Sequence, residues 1–248
     1  MEVSNHFKNK QSTFRCKQFN VQHVKSVMKV NTDGILLGAW APVEDDTKIL
    51  DVGTGTGIIA IMLAQRNPQA MIHAVEKDQE TAEEARANVL SCPWHTRIRV
   101  IHQCFLDYTR QYRGKEYDHI ISNPPFFTGG TISEVDLKNR GRHTMEMGHK
   151  EMLSACTQLI GKGGKISVIL PFTEGLRWLR IAEDYDCYPS RITEVRSKSG
   201  KPVERLLITL SNTFCTVHTD QLVLMEDGDS LIYTMAYKEL TKDFYLHF

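Results

Sequence analysis

The sequence predicts an α/β protein whose central, mostly parallel sheet is covered by helices on both faces. Three observations favour this class. Short β-branched runs alternate with helical patterns, as at residues 47–66 and 70–91. A glycine-rich turn at residues 53–57 lies directly between the first such strand and its helix. Residues 190–195 and 204–210 flank a turn and indicate an antiparallel hairpin, so five β/α units and a hairpin predict seven strands.

Length and composition favour one domain in the cytoplasm. A chain of 248 residues holds one sizeable α/β domain, which we divide into an N-terminal extension, 1–40, and a core, 41–248. The apolar runs are too short to span a bilayer, and the polar start lacks the apolar stretch of an export signal. The six cysteines are scattered without a C-x-x-C pair, so we expect free thiols and no metal site.

Charge is balanced overall but unevenly distributed. Lys and Arg total 30, Asp and Glu total 30, and the formal net charge is zero, which argues against a general polyanion binder. Basic residues nevertheless gather in the first 30 residues, at 138–150 and at 191–205. Such segregation either binds a phosphate backbone or is solvated surface, and composition leaves both open.

The segment before the first core strand contains a predicted helix with polar residues at its start. Residues 19–23 favour a short strand, and Thr32 or Asp33 is placed to cap a helix that begins near Gly34. This helix either packs on the core without a further role or presents Lys29, Thr32 and Asp33 to one side of a ligand pocket.

The turn after the strand at 47–52 has the pattern Asp51-x-Gly53-x-Gly55-x-Gly57. Glycines here let a ligand approach the backbone and aim the N–H groups of the next helix at it. A dinucleotide-binding fingerprint would need its third glycine at Ile58. The tight, uncharged turn therefore fits the methionine part of a sulfonium cofactor better than a pyrophosphate.

Acidic residues follow the next two strands. Glu76 ends the strand at 70–76, where nucleotide-binding βαβ units place an acceptor for ribose hydroxyls. Asp107 lies in residues 105–108, which we predict to open a loop after the strand at 97–102. By itself Asp107 is equally well placed to cap a turn or helix.

The stretch Asn123-Pro124-Pro125-Phe126 ends a strand that begins at residue 117. Pro124 forces Asn123 toward an extended conformation, and the two prolines withdraw two backbone donors. The Asn123 side chain and the Pro124 carbonyl then face a rigid opening rich in acceptors. This opening suits a planar substrate that brings its own N–H donors and a flat face for Phe126 to cover. Taken alone, the stretch is also a Pro-rich turn that caps a strand.

The second half of the chain completes the predicted sheet. Residues 127–146 lack periodicity, and a connection of this length is usually functional or mobile. The remaining predicted elements are a helix at 147–160, a strand at 165–170, a helix at 174–185, the hairpin, a short apolar run at 222–225 and a helix at 234–244.

The glycine turn, Glu76 and the Asn123 stretch, in this order, resemble class I S-adenosylmethionine-dependent methyltransferases that modify planar nitrogens. From about Phe14 onward, the chain also resembles the bacterial valine-tRNA (adenine-37 N6)-methyltransferase family. The motifs that carry this resemblance are Lys17-Gln18-Phe19-x-Val21-x-His23, Met28-Lys29-Val30-x-Thr32-Asp33-Gly34, Asn123-Pro124-Pro125-Phe126-Phe127, Arg142-His143, and Tyr233-Thr234 with Phe244-Tyr245-Leu246. Within the second of these motifs the chain departs from the family at Asn31, where glycine would be expected.

The resemblance implies a Rossmann-like enzyme, expected to be a monomer, that methylates N6 of adenine 37 in the anticodon stem-loop of tRNA(Val). S-adenosylmethionine is the implied cofactor, and 1–40 would be a cofactor lid that also contacts RNA. A flipped-out adenine would be held by Asn123 and Pro124 and stack on Phe126, with Pro125 completing the catalytic motif. The implied cofactor-binding residues are Lys29, Thr32, Asp33, Asp51, Gly53, Thr54, Gly55, Gly57, Glu76, Lys77, Asp107 and Asn123. The implied tRNA contacts are Lys17, Lys138, Arg140, Arg142 and His143.

Other functions share parts of this pattern. A protein glutamine amide is also planar and conjugated and is handled by a related motif, and a guanine N2 methyltransferase of ribosomal RNA is a further alternative. A catalytically silent RNA-binding module would keep the fold without needing Asn123 and Phe126. We expect residues 127–146 to order only on RNA binding, because their glycines and charges leave little apolar surface to bury.

Overall fold

The computed structural model describes residues 13–26, 28–112, 114, 116–124, 148–228 and 232–248. Its strands are β1 (Thr13–Arg15), β2 (Asn20–Gln22), β3 (Lys48–Val52), β4 (Met71–Glu76), β5 (Ile98–His102), β6 (Tyr117–Ser122), β7 (Ile160–Pro171), β8 (Tyr188–Arg196), β9 (Arg205–Ser211) and β10 (His218–Val223). Its helices are α1 (Thr32–Trp40), α2 (Ile58–Arg66), α3 (Gln79–Leu90), α4 (Phe105–Gln111), α5 (148–159), α6 (Phe172–Ala182) and α7 (Met235–Thr241).

The central sheet has eight strands in the order β10-β8-β9-β7-β6-β3-β4-β5. Its neighbouring strands pair in parallel except at β9, which runs antiparallel to both β7 and β8. The α/β class and the hairpin are therefore confirmed. The predicted count of seven strands is wrong, because β10 adds an eighth at the edge. In β10 only Leu222 is buried, so the edge strand lacks the apolar alternation by which strands are recognised.

Side-chain alternation in the central strands supplies two separate cores, one on each face of the sheet. Ile49 and Ile121 belong to a cluster with α1 and α2, whereas Leu50 and Ile120 belong to a cluster with α5 and α6. Because successive strand residues point to opposite faces, β3 and β6 anchor helices on both sides.

Helix α1 packs tightly on α2 within this core. A Cβ atom on Gly38 would lie 2.8 Å from the sulfur of Met62, so only glycine allows the two helices this separation. From Gly34 to Trp40 every residue of α1 is buried, and Val21 of β2 joins the same cluster. Residues 13–40, apart from 27, thus contribute to the core as well as flanking it.

Two local predictions fail at element boundaries. Residues 105–108 form the first turn of α4 rather than a loop. Strand β7 begins at Ile160, not residue 165, and its register against β6 shifts between Tyr117 and His119. The glycines at 161–164 suggested a break, but the structure accommodates them in this irregular pairing. Within the described ranges, no helix has the length and apolar character needed to cross a membrane.

Candidate active site at the carboxyl edge of the sheet

The turn between β3 and α2 takes backbone conformations that require glycine. The φ angles are 69° at Gly53, 55° at Gly55 and 83° at Gly57, all in the left-handed region. The Gly53 and Thr54 amides donate to the Val75 carbonyl at 2.9 and 3.1 Å, which ties the turn to β4. A Cβ atom on Gly53 or Gly55 would meet no protein atom within 4 Å. The backbone of the turn therefore borders open space that a ligand can enter.

Asp51 lies beneath this turn and is fully buried. Its Oδ2 atom accepts a hydrogen bond of 2.6 Å from the Thr54 hydroxyl. Among the described residues, no donor reaches its Oδ1 atom with hydrogen-bond geometry, although the nearby Ala60 amide favours the charged form of the carboxyl. Burial raises the pKa of the Asp51 carboxyl to about 7, and the charge of nearby Glu76 acts in the same direction. The site thus holds an unsatisfied acceptor that a cationic ligand would stabilise.

Glu76 closes the other side of the turn at the end of β4. Its Oε2 atom accepts from the Gly55 amide and its Oε1 atom from the Asp78 amide, both at 3.0 Å. Asp78 caps α3 through the Thr81 amide at 2.9 Å. The Glu76 carboxylate is thereby oriented at the rim of the glycine turn, as expected for an acid that binds hydroxyl groups.

Asn123 follows β6 immediately beside the glycine turn. Ser122 pairs with Val52 in the sheet, and its hydroxyl donates to the Val52 carbonyl at 2.8 Å. The Asn123 Oδ1 atom is buried, and among the described residues no donor forms a hydrogen bond with it. On its other side, Asn123 Nδ2 would be 3.9 Å from a Cβ on Gly34. Asn123 therefore lies between the cofactor-type turn and the start of α1, with a free acceptor.

The first turn of α1 differs in detail from the prediction. The cap is Asn31, whose side chain accepts from the Gly34 amide at 2.9 Å, rather than Thr32 or Asp33. Asparagine is a strong N-cap because its side-chain oxygen satisfies a free helix amide. Its preference for caps was the signal that sequence reasoning missed at this position. Asp33 instead accepts from Arg205 Nε at 3.0 Å, which joins α1 to β9.

The other predicted site residues fall into four groups. Lys29, Thr32 and Lys77 are exposed near the turns described above. Asp107 lies in α4, half-exposed, and pairs with Arg110 at 2.8 Å. The Lys17 ammonium donates to the carbonyls of Lys242 and Phe248 at 2.6 and 2.7 Å. Pro125, Phe126, Lys138, Arg140, Arg142, His143 and the segment 127–146 lie outside the described residues.

The residues present fit S-adenosylmethionine. The open glycine turn leaves room for a ligand at the backbone, Glu76 offers a carboxylate to hydroxyl donors, and the free Oδ1 of Asp51 is an acceptor for a positively charged group. In the described part of the chain, His, Cys, Asp and Glu do not gather into a group of three that could hold a metal ion.

Fold and site together define a class I, S-adenosylmethionine-dependent methyltransferase. The family model of the methyltransferase small domain matches residues 23–170. The structure resembles the crystal structure of a predicted O-methyltransferase from Agrobacterium tumefaciens, with a TM-score of 0.67 and 21% identity over 86% of this chain and 96% of that one. At this identity the likeness concerns the fold alone.

Curated relatives are similar over nearly the full length of the chain. The tRNA1(Val) (adenine(37)-N6)-methyltransferase of Pasteurella multocida is 40% identical over 240 residues, which are 96% of this chain and 99% of that protein. The protein of the same name from Aeromonas salmonicida is 38% identical over 95% of this chain and 98% of its own length. The chain belongs to the tRNA1(Val) (adenine(37)-N6)-methyltransferase family.

Proposed function

We propose that the protein transfers a methyl group from S-adenosylmethionine to N6 of adenine 37 in the anticodon loop of tRNA(Val). The observation that carries this proposal is the buried, unpartnered Oδ1 atom of Asn123 beside the open glycine turn. Family membership supports the identity of the substrate. An acceptor left free at this place suits a substrate that brings N–H donors.

The proposed role of Asn123 and Pro124 is to accept the two hydrogens of the adenine amine. The nitrogen lone pair of such an amine is delocalised into the ring, so it is a poor nucleophile. Two acceptors that bind its hydrogens hold the nitrogen in the orientation that directs the lone pair out of the ring plane. No side chain with a shifted pKa is then needed to remove a proton before transfer. The cofactor, when bound, supplies the electrophilic methyl group.

The remaining substrate contacts are proposed from the sequence. Adenine 37 already lies in a loop, so flipping it out costs less than it would in a duplex. Phe126 would stack on the base and Pro125 would keep the corner rigid. The tRNA backbone would be contacted by Lys138, Arg140, Arg142 and His143. Lys17 is a weaker candidate, because its ammonium already binds two carbonyls of the C-terminal segment.

The proposed cofactor site combines residues of three turns. Asp51, the glycine turn and Glu76 would hold its methionine and ribose parts, and Asn123 would border the methyl group. Lys29, Thr32, Asp33, Lys77 and Asp107 complete the proposed set; of these, Asp33 and Asp107 would have to share their present partners Arg205 and Arg110 with the cofactor. We further propose that the chain acts as one domain and as a monomer in the cytoplasm.

The test is an assay of methyl transfer from labelled S-adenosylmethionine to total tRNA, ribosomal RNA and release factors in parallel. The proposal predicts label in tRNA alone. Mass mapping of nucleosides from cells with and without the protein should show one N6-methyladenosine at position 37 lost from tRNA(Val). Label confined to the release factors or to ribosomal guanine would reject the proposal in favour of another methyltransferase substrate.

A further inference from the structure

Helix α3 buries two large polar side chains, those of Glu84 and Asn88, on its packed face. They are 6% and 2% exposed, and they lie one helical turn apart beside Ala85 and Val89, which are also buried. Burial of such groups is costly unless hydrogen bonds compensate for the loss of water. Neither residue belongs to the glycine turn, the strand ends or the Asn123 stretch.

Asn88 joins the glycine turn to the N-terminal segment. Its Nδ2 atom donates to the Thr56 carbonyl at 2.9 Å and to the Gln22 carbonyl at 2.8 Å, and its Oδ1 atom accepts from the Gln22 amide at 2.8 Å. The same helix contacts the turn at Gly57, where a Cβ atom would lie 3.6 Å from that of Ala85. One side chain therefore fixes the position of β2 relative to the turn.

Glu84 fixes the residues that follow β2. Its carboxylate accepts from three successive amides, those of Val24, Lys25 and Ser26, at 2.7, 2.8 and 3.0 Å. The Ser26 hydroxyl adds a fourth hydrogen bond of 2.6 Å. These hydrogen bonds lower the pKa of Glu84 despite its burial, so it is a carboxylate at neutral pH.

A hydrogen bond joins the two ends of the loop 23–30, of which the structure describes residues 23–26 and 28–30. The Val30 amide donates to His23 Nδ1 at 3.2 Å, and Asn31 then caps α1 beside Asn123. Within the loop, the described residues 24–26 are held at the base by α3. The loop thus has a set position next to the cofactor turn.

We propose that Asn88 and Glu84 are positioning residues for cofactor binding, which lock the loop 23–30 and the Thr56 turn to one platform on α3. The loop is then a fixed rim of the cofactor site and does not close as a lid. This proposal rests on the cofactor assignment but not on the identity of the RNA. Because the two residues act on one connected unit, their effects on cofactor affinity are expected to be non-additive.

The test is calorimetric titration of the full chain with S-adenosylhomocysteine, well below the melting temperature of each variant. Asn88→Asp keeps the size of the side chain but points an acceptor at two carbonyls, and we expect affinity to fall at least about tenfold at pH 8. Affinity should recover partly as the pH falls, because protonation of the new carboxyl restores a donor. A purely structural role would lower the melting temperature without this pH-dependent affinity.

Glu84→Gln provides a second variant, because glutamine keeps the shape but turns an NH₂ group toward amide donors. A drop of about tenfold is expected here too, and the double variant should be no more than a few-fold weaker than either single one. Glu83→Gln, at an exposed neighbouring position where the side chain accepts a hydrogen bond from Gln79 at 3.2 Å, is the matched control and should bind within twofold of the unchanged protein.

Two results would overturn the proposal. Folded Asn88→Asp and Glu84→Gln proteins that bind S-adenosylhomocysteine as tightly as the unchanged protein would show that the α3 platform does not position the site. If Asn88→Asp does not fold, Glu84→Gln alone decides between the two outcomes. Failure of the unchanged protein to bind S-adenosylhomocysteine would instead reject the cofactor assignment, and the positioning role with it.

Discussion

Buried polar groups differ in their hydrogen bonding between the middle of the central strands and the carboxyl ends of the same strands. In the middle of the sheet, His119 of β6 is 2.8 Å from Asp46 through Nδ1 and 2.8 Å from the Ser167 hydroxyl through Nε2. Ser167 in turn is 2.8 Å from the Thr209 hydroxyl, and Lys165 pairs with Asp46 at 2.9 Å. Both ring nitrogens of His119 have partners, and the chain supplies those partners itself.

At the carboxyl edge the chain leaves acceptors free. Asn123 Oδ1, four residues after His119, and Asp51 Oδ1 are buried without partners. Leaving such a group unpaired costs about 1 to 3 kcal/mol, which a ligand that donates hydrogen bonds would offset. Trp178 Nε1 also lacks a partner, so an unpaired atom indicates a binding site only where open space adjoins it. The glycine turn borders open space at Gly53 and Gly55, and it follows Val52, the sheet partner of Ser122, which precedes Asn123.

The largest expected effect is a loss of stability when His119, whose two ring nitrogens both have hydrogen-bond partners, is removed. His119→Ala leaves a cavity and removes one of the two partners of Asp46, and we expect the free energy of unfolding to fall by about 3 to 5 kcal/mol. Chemical denaturation measures this loss. The methyl-transfer rate per folded molecule should stay the same, because His119 does not contact the site. His247→Ala, at an exposed position, is the control and should change stability by less than about 0.5 kcal/mol.

Asn123→Ala should slow methyl transfer and leave the stability of the protein nearly unchanged. We expect the turnover number to fall by about 10² to 10³, the usual cost of losing one preorganised polar contact to the reacting group. Stability should change little, because the Oδ1 atom has no partner to lose. Steady-state kinetics with an anticodon stem-loop and a thermal melt of the same sample test both statements. Unchanged turnover would refute the catalytic assignment of Asn123.

Glu76→Gln should weaken cofactor binding without slowing the methyl-transfer step. The neutral amide is a poorer acceptor for hydroxyl groups, and the loss of one or two charged hydrogen bonds corresponds to roughly a 10- to 100-fold weaker affinity. Titration with S-adenosylhomocysteine gives the dissociation constant. Glu80→Gln, in the first turn of α3 and exposed, should bind normally; an equal loss in both variants would point to a general charge effect instead.

A separate expected effect concerns the pH dependence of stability without cofactor. The pKa of Asp51 rises from 3.8 to about 7 on folding, so the folded state binds the extra proton between these values. Stability from this group is therefore lost as the pH rises from about 4 to 7, by at most about 1.4 kcal/mol per pH unit. The difference in unfolding free energy between Asp51→Asn and the unchanged protein should grow over this range. A constant difference would contradict the raised pKa.

The sequence predicted those parts of the site whose conformation is determined by residues close together in the chain. The glycines of the turn, the acid at the end of β4 and the prolines after Asn123 each act through the backbone of their own neighbourhood. The fold class followed because buried parallel strands and their helices have strong apolar patterns. Asn31, Thr32 and Asp33 are three successive residues of types that cap helices, so capping preference alone did not decide among them, and the cap is Asn31.

Long-range partners could not be predicted in this way. Nothing in the sequence shows that Glu84 meets the amides of residues 24–26, or that Asp33 meets Arg205, because these pairs are brought together by packing. The edge strand β10 was missed since five of its six residues are not buried. The sequence predicted that the Asn123 side chain faces an opening, but whether a protein donor reaches its Oδ1 atom depends on what the fold places around it.

The most direct measurement is a crystal structure of the protein with S-adenosylhomocysteine and an anticodon stem-loop that contains adenine 37. We expect the adenine amine to lie about 2.7 to 3.2 Å from both Asn123 Oδ1 and the Pro124 carbonyl oxygen, on the side that faces the glycine turn. An amine bound elsewhere, with Asn123 Oδ1 instead accepting from a protein donor, would contradict it.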